Sequence, residues 1–181
     1  MTPKRLFPPL LASLLAAAPA SAALKPGDPA PDFQAQASQA GQVAPFSLLA
    51  ALRKGPVVLY FYPAAFTPGC TAEAHAFADA VDLFSALGAS VVGVSHDPID
   101  VLVRFSTSEC RGRFPVAADP DQSIMKAYDA VLADTSARAS RTSYVIAPDG
   151  KVFYAYTDPR PDDHVVNTLA AVKRWKAQAG M

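Results

Sequence analysis

Six β-forming residues in unbroken succession, Val57-Val58-Leu59-Tyr60-Phe61-Tyr62, are halted by Pro63 and predict a strand buried on both faces. Thr71 to Leu87 places apolar residues at 74, 77, 78, 81, 84 and 87, the three-and-four spacing of an amphipathic helix that Gly88 ends. Val91–Ser95 repeats the strand pattern. Pro98–Ser106, apolar at 99, 102, 103 and 105, repeats the helix. Ahead of these units, Phe33–Ala37 and Val43–Phe46 predict a hairpin around Gly41, and Leu48–Leu52 a turn or two of helix. Beyond them come a short extended Pro115–Ala118 and a helical turn or two at Ser123–Tyr128. A second hairpin follows, Thr142–Ala147 and Lys151–Tyr156 joined by Pro148-Asp149-Gly150. Asp162 or Asp163 is expected to cap a last helix that buries Val165, Val166, Leu169, Val172 and Trp175. Two βα units followed by a hairpin and a helix predict an α/β domain: a central mixed sheet flanked by helices, with an N-terminal β-hairpin.

The first 22 residues follow a different pattern. Lys4 and Arg5 precede an apolar run, Leu6 to Ala18, that is short for a membrane span, and Ala20-Ser21-Ala22 supplies the small residues of a signal-peptidase site. The expectation is a secretory signal over 1–22 and a mature domain over 23–181, periplasmic or secreted and free of the membrane after cleavage. An uncleaved anchor is the alternative. Export would place both cysteines where a disulfide persists.

Composition narrows the chemistry. With 16 basic and 16 acidic residues in 181, the chain lacks the positive footprint of a nucleic-acid binder. Two cysteines cannot build a four-cysteine zinc site or a disulfide-dense scaffold, and His75, His96 and His164 show no metal-ligand spacing, so no metal is expected. His75 and His96 read as structural or solvated.

The candidate chemistry sits where the buried strand gives way to a helix, at Pro63-Ala64-Ala65-Phe66-Thr67-Pro68-Gly69-Cys70-Thr71. Cys70 falls in the first helical turn, where unpaired N–H groups and the positive end of the helix dipole favour an anion. An ordinary thiol has a pKa of about 8.5, and such settings lower it to roughly 3.5–7.5. A buried, inert cysteine is the competing reading.

The pattern P-x-x-x-T-x-x-C, here Pro63, Thr67 and Cys70, resembles the active-site signature of peroxiredoxins. The longer Tyr60-Phe61-Tyr62-Pro63 with Thr67-Pro68-Gly69-Cys70-Thr71 resembles the branch called peroxiredoxin Q or bacterioferritin comigratory protein. Arg141-Thr142-Ser143-Tyr144-Val145-Ile146 and the following Pro148-Asp149-Gly150 are similar to the family's Arg-bearing strand and its turn, and the likeness runs from about Lys25 to about Lys176. The resemblance implies a thioredoxin fold and reduction of hydrogen peroxide and organic hydroperoxides at Cys70 without cofactor. It also implies a thioredoxin-like dithiol reductant and a monomer or weak dimer.

Making a thiolate is not enough for such a reaction. Lowering a thiol pKa from about 8.5 to about 6 raises the thiolate fraction at pH 7 roughly thirty-fold. The same change costs roughly ten-fold in nucleophilicity. Donors aimed at the peroxide oxygens must supply the rest. Thr67 Oγ1, the Arg141 guanidinium and the N–H groups near Gly69 and Cys70 are the candidates, with Pro63 screening the site from water as the family's proline does. Thr67 is also placed to cap the helix, Arg138 lies close enough in sequence to compete with Arg141, and Glu73 either orients Arg141 or is ordinary first-turn chemistry.

Many peroxiredoxin Q proteins carry a resolving cysteine five residues after the first; that position is His75 here. Cys110, on the helix from which other family members resolve, is the remaining thiol. Three outcomes are open: a Cys70–Cys110 bridge within the chain, a bridge between chains, or a one-cysteine enzyme. Other classes fit less well. A thioredoxin-type oxidoreductase needs a cysteine where Glu73 stands, and a copper-delivery protein needs one where Ala74 stands. An exported thioredoxin-fold binding or thiol–disulfide exchange protein with a structural Cys70–Cys110 bridge leaves the placement of Thr67 and Arg141 unexplained.

Overall fold

The computed structural model describes residues 23–132 and 138–180; the expected signal segment, Met1–Ala22, lies outside them. Seven strands form one mixed sheet in the order β2-β1-β5-β4-β3-β6-β7. They are β1 (Gln34–Gln39), β2 (Gln42–Ser47), β3 (Val57–Phe61), β4 (Ser90–Ser95), β5 (Val116–Ala118), β6 (Thr142–Ile146) and β7 (Val152–Thr157). Helices α1 (Leu48–Leu52), α2 (Pro68–Ala86), α3 (Ile99–Ser108), α4 (Ser123–Ala127) and α5 (Asp162–Gln178) connect or follow them. This is the expected thioredoxin-like α/β architecture.

β3 is the expected doubly buried strand, with all five residues enclosed. It runs parallel to β4 and antiparallel to β6, which places its carboxyl end beside the amino end of β6. Cys70 and Arg141 are brought together in this way. α2, α3 and α5 cover one face, with Tyr60, Tyr62, Cys70, Phe77, Phe105, Cys110 and Phe114 in one core; Leu48, Leu59, Phe61, Tyr128 and Tyr144 centre the core on the other. The Tyr60 ring stacks on Phe77 at 4.4 Å and lies over Gly93 of β4, where a Cβ would stand only 2.7 Å from it. The aromatic layer above the site therefore needs a residue without a side chain beneath it.

The N-terminal hairpin closes through Ala40 and Gly41, with φ of 50° and 79°, the two positive angles of a type I′ turn. Its strand β1 pairs with β5 and extends the sheet.

The last helix departs from expectation in two ways. Its N-cap is Pro161, with no side-chain cap bond, and Asp162 and Asp163 lie in the first turn instead. Its buried face is His164, Val165, Thr168, Ala171 and Val172, while Val166 is 64 % exposed. Leu169 packs against the core from a half-buried position, and His164 and Thr168 take inward seats that apolar counting does not assign. Thr168 does so by donating its hydroxyl to the His164 carbonyl at 2.7 Å, which satisfies the buried oxygen.

Candidate active site

α2 begins at Pro68, three residues earlier than the apolar pattern indicates, so Gly69 and Cys70 occupy its first turn with N–H groups that have no partner within the helix. Cys70 is 1 % exposed. Arg141, in the residue before β6 and 7 % exposed, directs Nη2 at Cys70 Sγ from 3.4 Å. Gly69 makes room for this approach, since a Cβ there would stand 3.2 Å from the same Nη2. Arg138 is exposed and takes no part.

Three contacts fix the guanidinium. Its Nε donates to the Pro159 carbonyl at 3.0 Å, Nη1 is paired with Glu73 Oε2, and Nη2 faces the thiol. Burial works against the Arg141 charge, but the Glu73 carboxylate and the Cys70 sulfur outweigh it and hold its pKa above the usual arginine value. Burial pushes the Glu73 carboxyl up to about 8 against the pull of Arg141.

Thr67 is the N-cap residue of α2, yet its hydroxyl does not cap the helix. It donates to the Ala64 carbonyl at 3.0 Å, closing the turn that follows Pro63. Pro63 is half-buried at the end of β3. Phe66 holds a positive φ of 63°, is 45 % exposed, and packs edge-on against Phe105 at 5.2 Å.

Sequence patterns gave no sign of Asp97. Its carboxylate accepts from the Ala65 N–H at 2.7 Å and from Ser95 Oγ at 2.8 Å, tying the Pro63–Thr67 turn to the end of β4. The contact joins residues 32 positions apart, and only the parallel pairing of β3 with β4 makes them neighbours.

Cys110 follows the end of α3, fully buried in the same core as Cys70, and both thiols are free. Burial raises the Cys110 pKa well above that of an exposed thiol, with Glu109 adding to the effect. His75 Nε2 lies 2.9 Å from Glu109 Oε2. Beside that contact, the ion pairs Arg111–Asp79 at 2.6 Å and Arg113–Asp82 at 2.5 Å join α2 to the segment carrying Cys110. Among the described residues, no group of three or more His, Cys, Asp or Glu is placed to hold a metal ion.

Cys70 thus stands in the first turn of the helix that follows β3 of a thioredoxin-like sheet, faced by an arginine from the residue ahead of β6. The chain belongs to the AhpC/TSA family, whose profile matches residues 26–155. It is 31% identical over 146 residues to peroxiredoxin Bcp of Escherichia coli, covering 78% of this chain and 90% of that one. It is 31% identical over 144 residues to the chloroplastic peroxiredoxin Q of Oryza sativa subsp. japonica, covering 79% and 64%. The solved structure of peroxidoxin BcpB from Mycobacterium tuberculosis superposes with a TM-score of 0.75 at 32% identity, over 83% of this chain and 97% of that one. These relatives are consistent with the bacterioferritin comigratory protein and peroxiredoxin Q branch, and the chain is a peroxidase of the peroxiredoxin kind.

Proposed function

We propose that Cys70 is the residue that reacts with hydrogen peroxide and organic hydroperoxides, and that Cys110 of the same chain resolves the product. The approach of Arg141 Nη2 to Cys70 Sγ, in a helical turn with unpaired N–H groups, carries this reading. The thiolate attacks one peroxide oxygen, the O–O bond breaks, and the departing alkoxide or hydroxide takes up a proton. Arg141 and the Gly69 and Cys70 N–H groups are the donors for the charge that develops on the oxygens, Thr67 joins them when its hydroxyl turns from the Ala64 carbonyl to the substrate, and Pro63 limits the access of water. The Cys110 thiol then displaces water from the Cys70 sulfenic acid to form a disulfide, and a thioredoxin-like dithiol returns both cysteines to the reduced state. The enzyme works as a monomer or weak dimer.

The resolving step requires movement. Both thiols are enclosed, Cys110 is held protonated by burial, and a disulfide needs Cα atoms within roughly 4.4–6.8 Å. The first turn of α2 and the end of α3 open locally to allow it. Reduced protein treated with one equivalent of peroxide, alkylated and mapped by non-reducing mass spectrometry is expected to yield a monomeric Cys70–Cys110 peptide pair. A persistent Cys70 sulfenic or sulfinic acid beside alkylated Cys110 would overturn the resolving role while leaving the peroxidase reading intact.

The N-terminal sequence supports export to the periplasm or beyond, with Ala23 as the first mature residue. Edman sequencing of native protein is expected to begin at Ala23, and a start at Met1 or Thr2 contradicts export.

A further inference from the structure

Glu73 has a second oxygen that the Arg141 pair leaves unused. Oε1 is buried and makes no hydrogen bond, a costly arrangement for a carboxylate. Facing it at 3.7 Å is Nδ1 of His164, from the first turn of α5 and itself fully buried.

The surroundings fix the tautomer of this histidine. Nε2 lies 2.9 Å from the Asp158 carbonyl oxygen, which can only accept, so Nε2 carries a hydrogen. Nδ1 is therefore the nitrogen that gains or loses a proton; when bare it accepts from Ser143 Oγ at 2.8 Å. The position able to change its charge state is the one turned toward the unsatisfied carboxylate oxygen.

The charges can be counted over the three groups. Arg141 is positive. If one proton resides on Glu73 or on His164 Nδ1, the three together present a net charge of +1 behind Cys70; if neither holds it, they present none. We propose that Arg141, Glu73 and His164 act as one unit that keeps a single exchangeable proton between Glu73 Oε1 and His164 Nδ1. His164 is the positioning residue for that proton, and Cys70 faces a net positive charge while the proton is held.

The directions of titration agree. Burial raises the Glu73 carboxyl to about 8 and lowers the His164 imidazole, which reverses their ordinary order, so the proton rests on Glu73 with bare Nδ1 turned toward it. The other groups facing His164 are Asp158 and Asp163, which favour its protonation, and Arg141, which opposes it. Asp158 is itself paired with Arg160 at 3.2 Å, and the Tyr156 ring meets the imidazole edge-on at 4.8 Å.

This inference rests on Cys70 being the thiol that meets peroxide. Its test is the second-order rate of hydrogen peroxide with reduced full-length protein, followed by stopped flow from about pH 6 to about pH 10. In the wild type the rate is expected to fall on the order of ten-fold on the alkaline side, as the unit's net charge is lost near the thiolate. Glu73→Gln, whose amide has no proton to release in this range, is expected to lose that alkaline limb. His164→Asn, which can accept from Ser143 but cannot hold a proton, is expected to displace the limb to lower pH. Coincident profiles for wild type and His164→Asn, or an alkaline fall that persists in Glu73→Gln, would overturn the proposal. Should His164→Asn not fold, 15N NMR of wild-type His164 decides. A protonated Nε2 with an Nδ1 signal that moves with pH supports the shared proton, and a bare, pH-invariant Nδ1 refutes it. That measurement needs no turnover, so a wild type unreactive toward peroxide at Cys70 counts against the peroxidase reading separately.

Discussion

Cys70→Ser is expected to abolish peroxide reduction, with turnover falling to the background of the assay. A serine hydroxyl is almost never ionised at neutral pH, and oxygen lacks the polarisable lone pair with which a thiolate attacks a peroxide bond. The environment offers no substitute. Cys110 is buried and protonated, and the adjacent Glu109 opposes rather than assists its ionisation. Replacing sulfur by oxygen changes little in volume, so the variant should melt close to the wild type. Coupled assays with a thioredoxin-like reductant and direct peroxide consumption both test this. Appreciable residual turnover would move the reacting thiol to Cys110.

Arg141→Ala carries the second large effect: reaction with peroxide should slow by on the order of a hundred-fold or more, as the loss of one preorganised electrostatic donor typically does. The cost to the fold is limited by the chemistry of its partner. Removing one member of a buried ion pair usually strands the other, but Glu73 already holds its proton up to about pH 8 and can remain neutral when the guanidinium is gone. Stopped-flow mixing of the reduced variant with peroxide, with a thermal melt alongside, separates the two effects. Arg138→Ala is the control, since Arg138 is exposed and should leave the rate unchanged. An Arg141→Ala rate close to wild type would remove the guanidinium from the reaction.

The strand at Val57–Phe61 and the long helix after it were legible in the sequence because both carry dense periodic signals over many residues. The meeting of Cys70 and Arg141 was legible for a different reason. Pro63, Thr67 and Cys70 lie within one short turn, and Arg141 heads a strand whose pattern is equally plain, so motif and periodicity point to the same place. Thr67 shows where that logic stops: its position before the helix was read correctly, but the choice of the Ala64 carbonyl over a helical N–H depends on the path of the turn. Asp97 and His164 were harder to read because their roles come from sheet order. Asp97 matters because β4 lies beside β3, and His164 because α5 packs back across β6 toward Glu73. In α5 itself, counting apolar residues pointed to Val166, while the fold gave inward seats to a histidine and a threonine with satisfied hydrogen bonds.

The ion pairs between α2 and the segment around Cys110 differ from the pair beside Cys70 in their sensitivity to the surrounding electrolyte. Arg111–Asp79 and Arg113–Asp82 stand largely in solvent, whereas Arg141–Glu73 is enclosed. Dissolved ions screen exposed pairs across distances of about a Debye length, roughly 8 Å at physiological strength, and hardly reach enclosed ones. The contacts that restrain Cys110 thus loosen as salt rises, while the charge arrangement at Cys70 stays as it is. Under the proposed cycle, reaction of Cys70 with peroxide is expected to be little affected by salt and disulfide formation with Cys110 to be faster in saline solution, which stopped-flow measurement of both steps at low and high salt checks.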